Sequence, residues 1–267
     1  MDRRGLTLVE LLVAMAIAGV VLLLLTQAVI GSTRYSHRQS QRLTAQEDLR
    51  LAFLRLNEVG SSAAYIYPEI KSSQPPIVLP DGTRLRTRKK ALAFLVPKGT
   101  TYCPDESGAP QGAYCLFVYY WEKRNKHIPP LGPSRDGSGW LLVEAKVRWV
   151  TWPINEVPPR DFSSGGYSLQ KGVVLESLDR AHSDLTNDVR IALSDGLDST
   201  LYKRGDVMNN GKICNKQNKC HLDPKVLLGA VRPRITIRHR GDTSGVTRSE
   251  WIVPRLIPRA VPPEYAE

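Results

Sequence analysis

Residues 3–25 read RRGLTLVELLVAMAIAGVVLLLL. Two arginines and a glycine precede a short stretch that sets one carboxylate, Glu10, at the head of the longest apolar run in the chain. From Leu11 to Leu25 no side chain is polar, and the wider segment from Leu6 to Ile30 makes 25 residues. A bilayer takes roughly 20 residues of helix, so this run is long enough to span one. An ionised Glu inside such a segment costs on the order of 2 to 3 kcal/mol or more at the membrane centre. Glu10 therefore belongs near an interface or beside a partner. Arg3 and Arg4 favour retention of the short N-terminus in the cytoplasm. A secretory signal peptide would carry a shorter apolar core followed by an A-x-A-like site, and no such site follows Leu25.

The remainder has the composition of a globular protein: 42% hydrophobic and 24% charged residues, with 20 Gly and 19 Pro among 267. About two hundred residues lie beyond the first sixty, enough for one core or one core with a large insertion. Ser36 to Val59 is rich in helix formers and free of Pro. Leu49, Ala52, Phe53, Leu56 and Val59 recur at helical spacing, with Gln46, Asp48, Arg50 and Arg55 on other faces. One long helix is expected to leave the membrane and become amphipathic. From Leu6 to Val59 it would measure roughly 80 Å at 1.5 Å per residue, ending at Gly60-Ser61-Ser62.

Gly5, then Leu6-Thr7-Leu8-Val9-Glu10, then an apolar helix, resembles the class III signal of type IV pilins and type II secretion pseudopilins. The resemblance implies that a prepilin peptidase cuts after Gly5 and that the new N-terminus at Leu6 is methylated. Glu10 becomes the fifth residue of the mature chain. It further implies that Glu10 pairs with the α-amino group of a neighbouring subunit in an assembled filament. Opposite charges in a low-dielectric helical core attract strongly, and leaving either uncompensated is costly, so such a pair can set axial register. An interfacial Glu10 beside the lipid head groups is the plain alternative. Leu6 stands where Phe is usual, and the Pro that many major pilins carry about twenty residues into the mature chain is missing, which points away from a major pilin. The segment AQEDLRLAFLRLNEVGSSA is similar to the corresponding stretch of PilW-type minor pilins and of J-type pseudopilins.

Strands and turns make up the rest. Trp140 to Trp152, WLLVEAKVRWVTW, alternates Leu141, Val143, Ala145, Val147 and Trp149 against Glu144, Lys146 and Arg148, the pattern of a half-buried strand. Cys115 to Trp121, CLFVYYW, is apolar on both faces and suits a more buried strand. Arg234 to Arg240 alternates Ile235, Ile237 and His239 against Arg234, Thr236, Arg238 and Arg240. The expected fold is α+β: a long N-terminal helix packed on a predominantly antiparallel head. Its parts are a cleaved leader (1–5), a transmembrane and assembly helix (6–31), its amphipathic continuation (32–59) and a β-rich head (60–267).

Four cysteines fall as two local pairs, Cys103 with Cys115 and Cys214 with Cys220. An exported head meets an oxidising compartment where local disulfides are favoured. A zinc site of all four, or of three with His221, is the alternative, although eleven and five intervening residues are not the usual metal-knuckle spacings. Asp195, Asp198 and Asp206 cluster without matching an EF-hand, with Lys203 and Arg204 among them, and read as surface-loop acids. No G-x-S-x-G, H-E-x-x-H or phosphate-binding glycine loop is present. The formal net charge is +11. Arg84, Arg86 and Arg88 with Lys89 and Lys90 would form one basic stripe, and Arg234, Arg238 and Arg240 another. Such stripes suit DNA phosphates, acidic neighbouring subunits or solvent.

The resemblance implies a non-enzymatic minor pilin that initiates or primes a type IV pilus near its tip, with roles in twitching motility, adhesion or DNA uptake. No cofactor is expected and no residue is assigned as a metal ligand, although some pseudopilins of the family it resembles bind calcium in a head loop. The partners it implies are other minor and major pilins, the prepilin peptidase, the inner-membrane assembly platform and, through the stripes, DNA. A J-type pseudopilin of a type II secretion system shares leader and fold, and a membrane-anchored enzyme without a recognisable motif is the alternative of another class.

Overall fold

The computed structural model describes residues 8–67, 75–87, 90–127, 131, 139–152, 158–192, 207–209, 212–214, 220–222, 228–238 and 245–252, with the backbone alone between 186 and 230. The helix α1 runs over Leu8–Ser61, 54 residues without a proline. The chain divides into two units, residues 1–46 and 47–267, and the boundary falls inside α1.

In the second unit α1 supplies an apolar stripe. Leu49, Ala52, Phe53, Leu56 and Val59 are each no more than 1% exposed, so the spacing read from the sequence is the buried face. The helix stops where the Ser61 and Ser62 hydroxyls donate to the Glu58 carbonyl at 3.0 and 3.1 Å. Those bonds satisfy one of the carbonyls that a helix end leaves without a partner. The chain then turns through Ser62 N–H to Val59 O and Ala63 N–H to Gly60 O.

After α1 come β1 (Tyr65–Ile66), the short hairpin of β2 (Ile77–Val78) and β3 (Arg84–Leu85), and β4 (Ala91–Pro97). Next are the long strands β5 (Ala113–Lys123) and β6 (Trp140–Thr151) and the edge strand β7 (Leu169–Leu175). Strands β1, β4, β5, β6 and β7 form one sheet in that order, every neighbour antiparallel. As its apolar run predicts, β5 is central, and Ala113 to Trp121 are all buried. A strand buried on both faces needs a layer on each side. On one side lies α1, held by Arg55 to Glu144 of β6. On the other, Leu116, Val118, Ala93, Leu95, Val143 and Ala145 meet Ile77, Leu79, Tyr67 and Phe162. This second layer is tied by Val78 N–H to Arg160 O, Phe162 N–H to Val78 O, and the Tyr67 hydroxyl to Pro159 O at 2.7 Å.

Strand β6 departs from the sequence pattern in two ways. Glu144 and Arg55 belong to the helix–sheet contact rather than to solvent-facing sides, because the sheet is covered on both faces. The alternation also breaks near the strand's end. Tyr114 pairs with Val150 and Leu116 with Val147, so Arg148 and Trp149 together oppose Cys115. This is a β-bulge, and Trp149 sits at φ 61°, a conformation uncommon for a residue other than glycine. One extra residue reverses the parity of every later position in the strand. Val150 and Trp152 therefore join the cluster of Val143 and Val147, while Trp149, expected on the apolar side, is half-buried.

A second antiparallel sheet has the order β13 (Val246–Ser249), β12 (Leu228–Ile237), β8 (Asp184–Ala192). A third joins β9 (Val207–Asn209), β10 (Lys212–Cys214) and β11 (Cys220–Leu222). The chain just past β13 closes on the end of α1. A Cβ built on Gly60 would lie 2.2 Å from Ile252 Cγ2 and 3.4 Å from Phe94. Because Cγ2 sits on a β-branched carbon, Ile252 yields only by changing χ1. Gly60→Ala should lower the unfolding free energy of the head by about 1 to 3 kcal/mol, measured by chemical denaturation of the full chain in detergent. Unchanged stability would mean that this contact relaxes without strain.

Candidate assembly helix and its docking on the head

In the first unit α1 exposes its apolar side chains. Leu11 to Leu25 are exposed throughout, the large ones 48–64%, and α1 contains a window long and apolar enough to cross a bilayer. Two threonine hydroxyls close to that surface are turned back onto the helix. Thr26 donates to Leu22 O at 2.8 Å, and Thr33 to Val29 O at 2.9 Å and Ile30 O at 3.0 Å, so each polar hydrogen is satisfied within the helix. A Cβ on Gly19 or Gly31 would meet nothing within 4 Å. Glu10 lies exposed in the first turn, where the positive end of the helix dipole favours a carboxylate. Gly5 and Leu6 lie outside the described residues.

At its other end α1 docks through a polar network inside an apolar contact. Arg55 Nε and its terminal nitrogen reach the two Glu144 carboxylate oxygens at 2.8 and 2.7 Å, a bidentate pairing that fixes direction as well as distance. The Tyr119 hydroxyl donates to Glu144 Oε2 at 2.6 Å. The hydrogen bond to Glu144 outweighs burial and raises the Arg55 pKa further. Burial, reinforced by the Glu144 charge, pushes the Tyr119 phenol well above its ordinary value. The network thus sets a bidentate carboxylate–guanidinium pair beside a phenol that burial keeps protonated. Arg55 also stacks over the Tyr102 ring, 4.9 Å from its centroid.

A disulfide joins Cys103 to Cys115, the first local pair in the sequence. Cys214 and Cys220 are directly opposite each other in the β10–β11 hairpin. Among the described residues no group of three His, Cys, Asp or Glu is placed to hold a metal. Asp195, Asp198 and Asp206, with Lys203 and Arg204, lie outside the described residues.

The basic stripes are divided by the structure. Arg84, Arg86 and Lys90 are exposed, whereas Arg88 and Lys89 lie outside the described residues. In the second stripe Arg234 is exposed, Arg240 and His239 lie outside the described residues, and Arg238 is an ion-pair partner. Its Nε is 3.1 Å from Asp179 Oδ2, and Asp179 also accepts from Ala181 N–H at 2.9 Å. Arg238 therefore braces the turn before β8 instead of standing in a row with Arg234.

Sequence reasoning passed over Arg55, Tyr102 and Glu144. The only trace of Arg55's role is its place three residues after Ala52 and four before Val59, on the flank of the buried stripe.

Residues 1–26 match the family model described as the prokaryotic N-terminal methylation motif. The match is to a prepilin-type leader, which supports a type IV pilin or pseudopilin class, and with the apolar part of α1 it fits a single-pass, membrane-anchored protein. No curated protein and no solved structure matches the chain.

Replacing Arg238 by Gln removes the charge opposite a largely buried Asp179. The head should lose about 1 to 2 kcal/mol, read as a lower denaturation midpoint. An unaltered midpoint would show that the pair is structurally idle.

Proposed function

We propose that this chain is a minor pilin of a type IV pilus, nearest to the PilW type, which initiates or primes the filament and sits near its tip. The methylation motif at residues 1–26, opening directly into an exposed apolar helix, carries this reading. A head of about two hundred residues, a full domain in size, would be awkward to repeat along a tightly packed filament, which favours a minor over a major subunit. Before assembly the protein is anchored in the inner membrane with its head in the periplasm. Prepilin peptidase removes Met1 to Gly5, and Leu6 receives the methyl group. The assembly platform then extracts the helix into a bundle with other minor and major pilins. There Glu10 meets the α-amino group of a neighbouring Leu6, and the chain acts through assembly, not catalysis. In the head, Cys214 and Cys220 form the second disulfide, since directly opposite residues of an antiparallel pair place their Cα atoms about 4.5 to 5.5 Å apart, within a disulfide's reach.

Intact mass in a host with the peptidase should show loss of Met1 to Gly5 and gain of one methyl group. A chain beginning at Met1 would defeat the proposal. In the same host Glu10→Ala should insert normally but reach sheared filaments at a level lowered by more than about tenfold, because one buried charge has lost its partner. Normal incorporation would remove the role given to Glu10. Recovery with a secretion pseudopilus, and failure of secretion on deletion, would transfer the chain to the J-type pseudopilins.

A further inference from the structure

The loop between β4 and β5 is tied to the head by several side chains and touches the last turns of α1 through Tyr102. Lys98 pairs with Asp105 at 2.8 Å and donates to Ala109 O at 3.1 Å. Arg148 holds both Glu106 carboxylate oxygens, at 2.7 and 2.9 Å, and Lys146 donates to the Tyr102 carbonyl. Cys103 joins this loop to Cys115 of the central strand. The residue before that cysteine, Tyr102, is the one that reaches the helix. Its hydroxyl donates to Glu58 at 2.7 Å and its ring lies under Arg55. Arg55 is in turn the partner of Glu144, so one tyrosine connects the disulfide to both charged side chains in the last two turns of α1.

We infer that residues 98–115 form a redox-set strap, in which closure of Cys103–Cys115 seats Tyr102 on Arg55 and Glu58 and so completes the docking of α1 on the head. The closing step is thiol–disulfide exchange with a disulfide-bearing oxidant. The two cysteine thiols lose two protons and two electrons as their S–S bond forms, and the oxidant's S–S bond opens to two thiols. With the thiols reduced, the strap keeps its ion pairs, but Tyr102 is no longer fixed beside the covalent anchor. The inference concerns the head alone and stands whether or not the chain enters a pilus.

Amide hydrogen exchange of the full chain in detergent micelles tests it, with oxidised protein, protein reduced by a phosphine, and Tyr102→Ala with the disulfide intact. Reduction and Tyr102→Ala should each speed exchange at residues 54–61 on the order of tenfold, the size expected for loss of one local tether, and reduction of Tyr102→Ala should add little further at those amides. Tyr102→Phe keeps the ring on Arg55 and loses only the Glu58 bond, so it should fall between wild type and Tyr102→Ala. The inference is overturned if reduction loosens 98–115 while 54–61 stay protected, or if Tyr102→Ala leaves the helix amides unchanged. Should the reduced chain unfold outright, as seen in its far-UV circular dichroism, Tyr102→Ala with the bond intact decides alone.

Discussion

The pairing of Arg55 with Glu144 is the constraint on which the docked half of α1 depends. A carboxylate on the helix-facing side of β6 would ordinarily forbid an apolar helix from lying there, because an uncompensated buried charge costs several kcal/mol. Arg55 meets it bidentately and Tyr119 donates to the same carboxylate, so Phe53 and Leu56 are buried around a satisfied ion pair. Such a pair adds little net stability compared with a well-packed apolar substitute, yet breaking it is expensive. Its value lies in position: a bidentate contact allows the helix one rotation and one height on the sheet.

That restriction separates two uses of a single helix. From Glu47 onward the helix belongs to the head's unit, and its stripe from Leu49 to Val59 is covered. Residues from Leu8 to Ile30 keep theirs exposed, a surface that water disfavours and that a bilayer or neighbouring apolar helices would cover. Charged side chains reappear in the helix from Arg34 onward, and Ala45 is the first buried residue along it.

Much of this was legible in the sequence because it rests on local period and length. The apolar run, the Leu49 to Val59 stripe, the doubly buried β5 and the α+β class all derive from 3.6-residue or two-residue repeats. What escaped depends on contacts distant in sequence. Arg55 and Glu144 are 89 residues apart, and each looks like an ordinary surface charge until the other is placed. The bulge at Arg148 and Trp149 left no sign in the alternating pattern, since a Trp fits an apolar position whether or not the register has slipped. Arg238 looked like one member of a stripe because its partner, Asp179, comes from the turn ahead of β8. The prepilin-type motif of residues 1–26 was legible by a different route, as a short run of fixed residue types.

A double-mutant cycle of Arg55→Met and Glu144→Leu, read as unfolding free energies of the full chain in detergent, measures this constraint most directly. Each single change should destabilise by on the order of 2 kcal/mol, less than a fully buried pair because Arg55 is partly exposed, and the double mutant should recover about 1 to 2 kcal/mol of their sum. Additivity within about 0.5 kcal/mol would contradict the central role given to this pair and leave apolar packing alone to seat the helix.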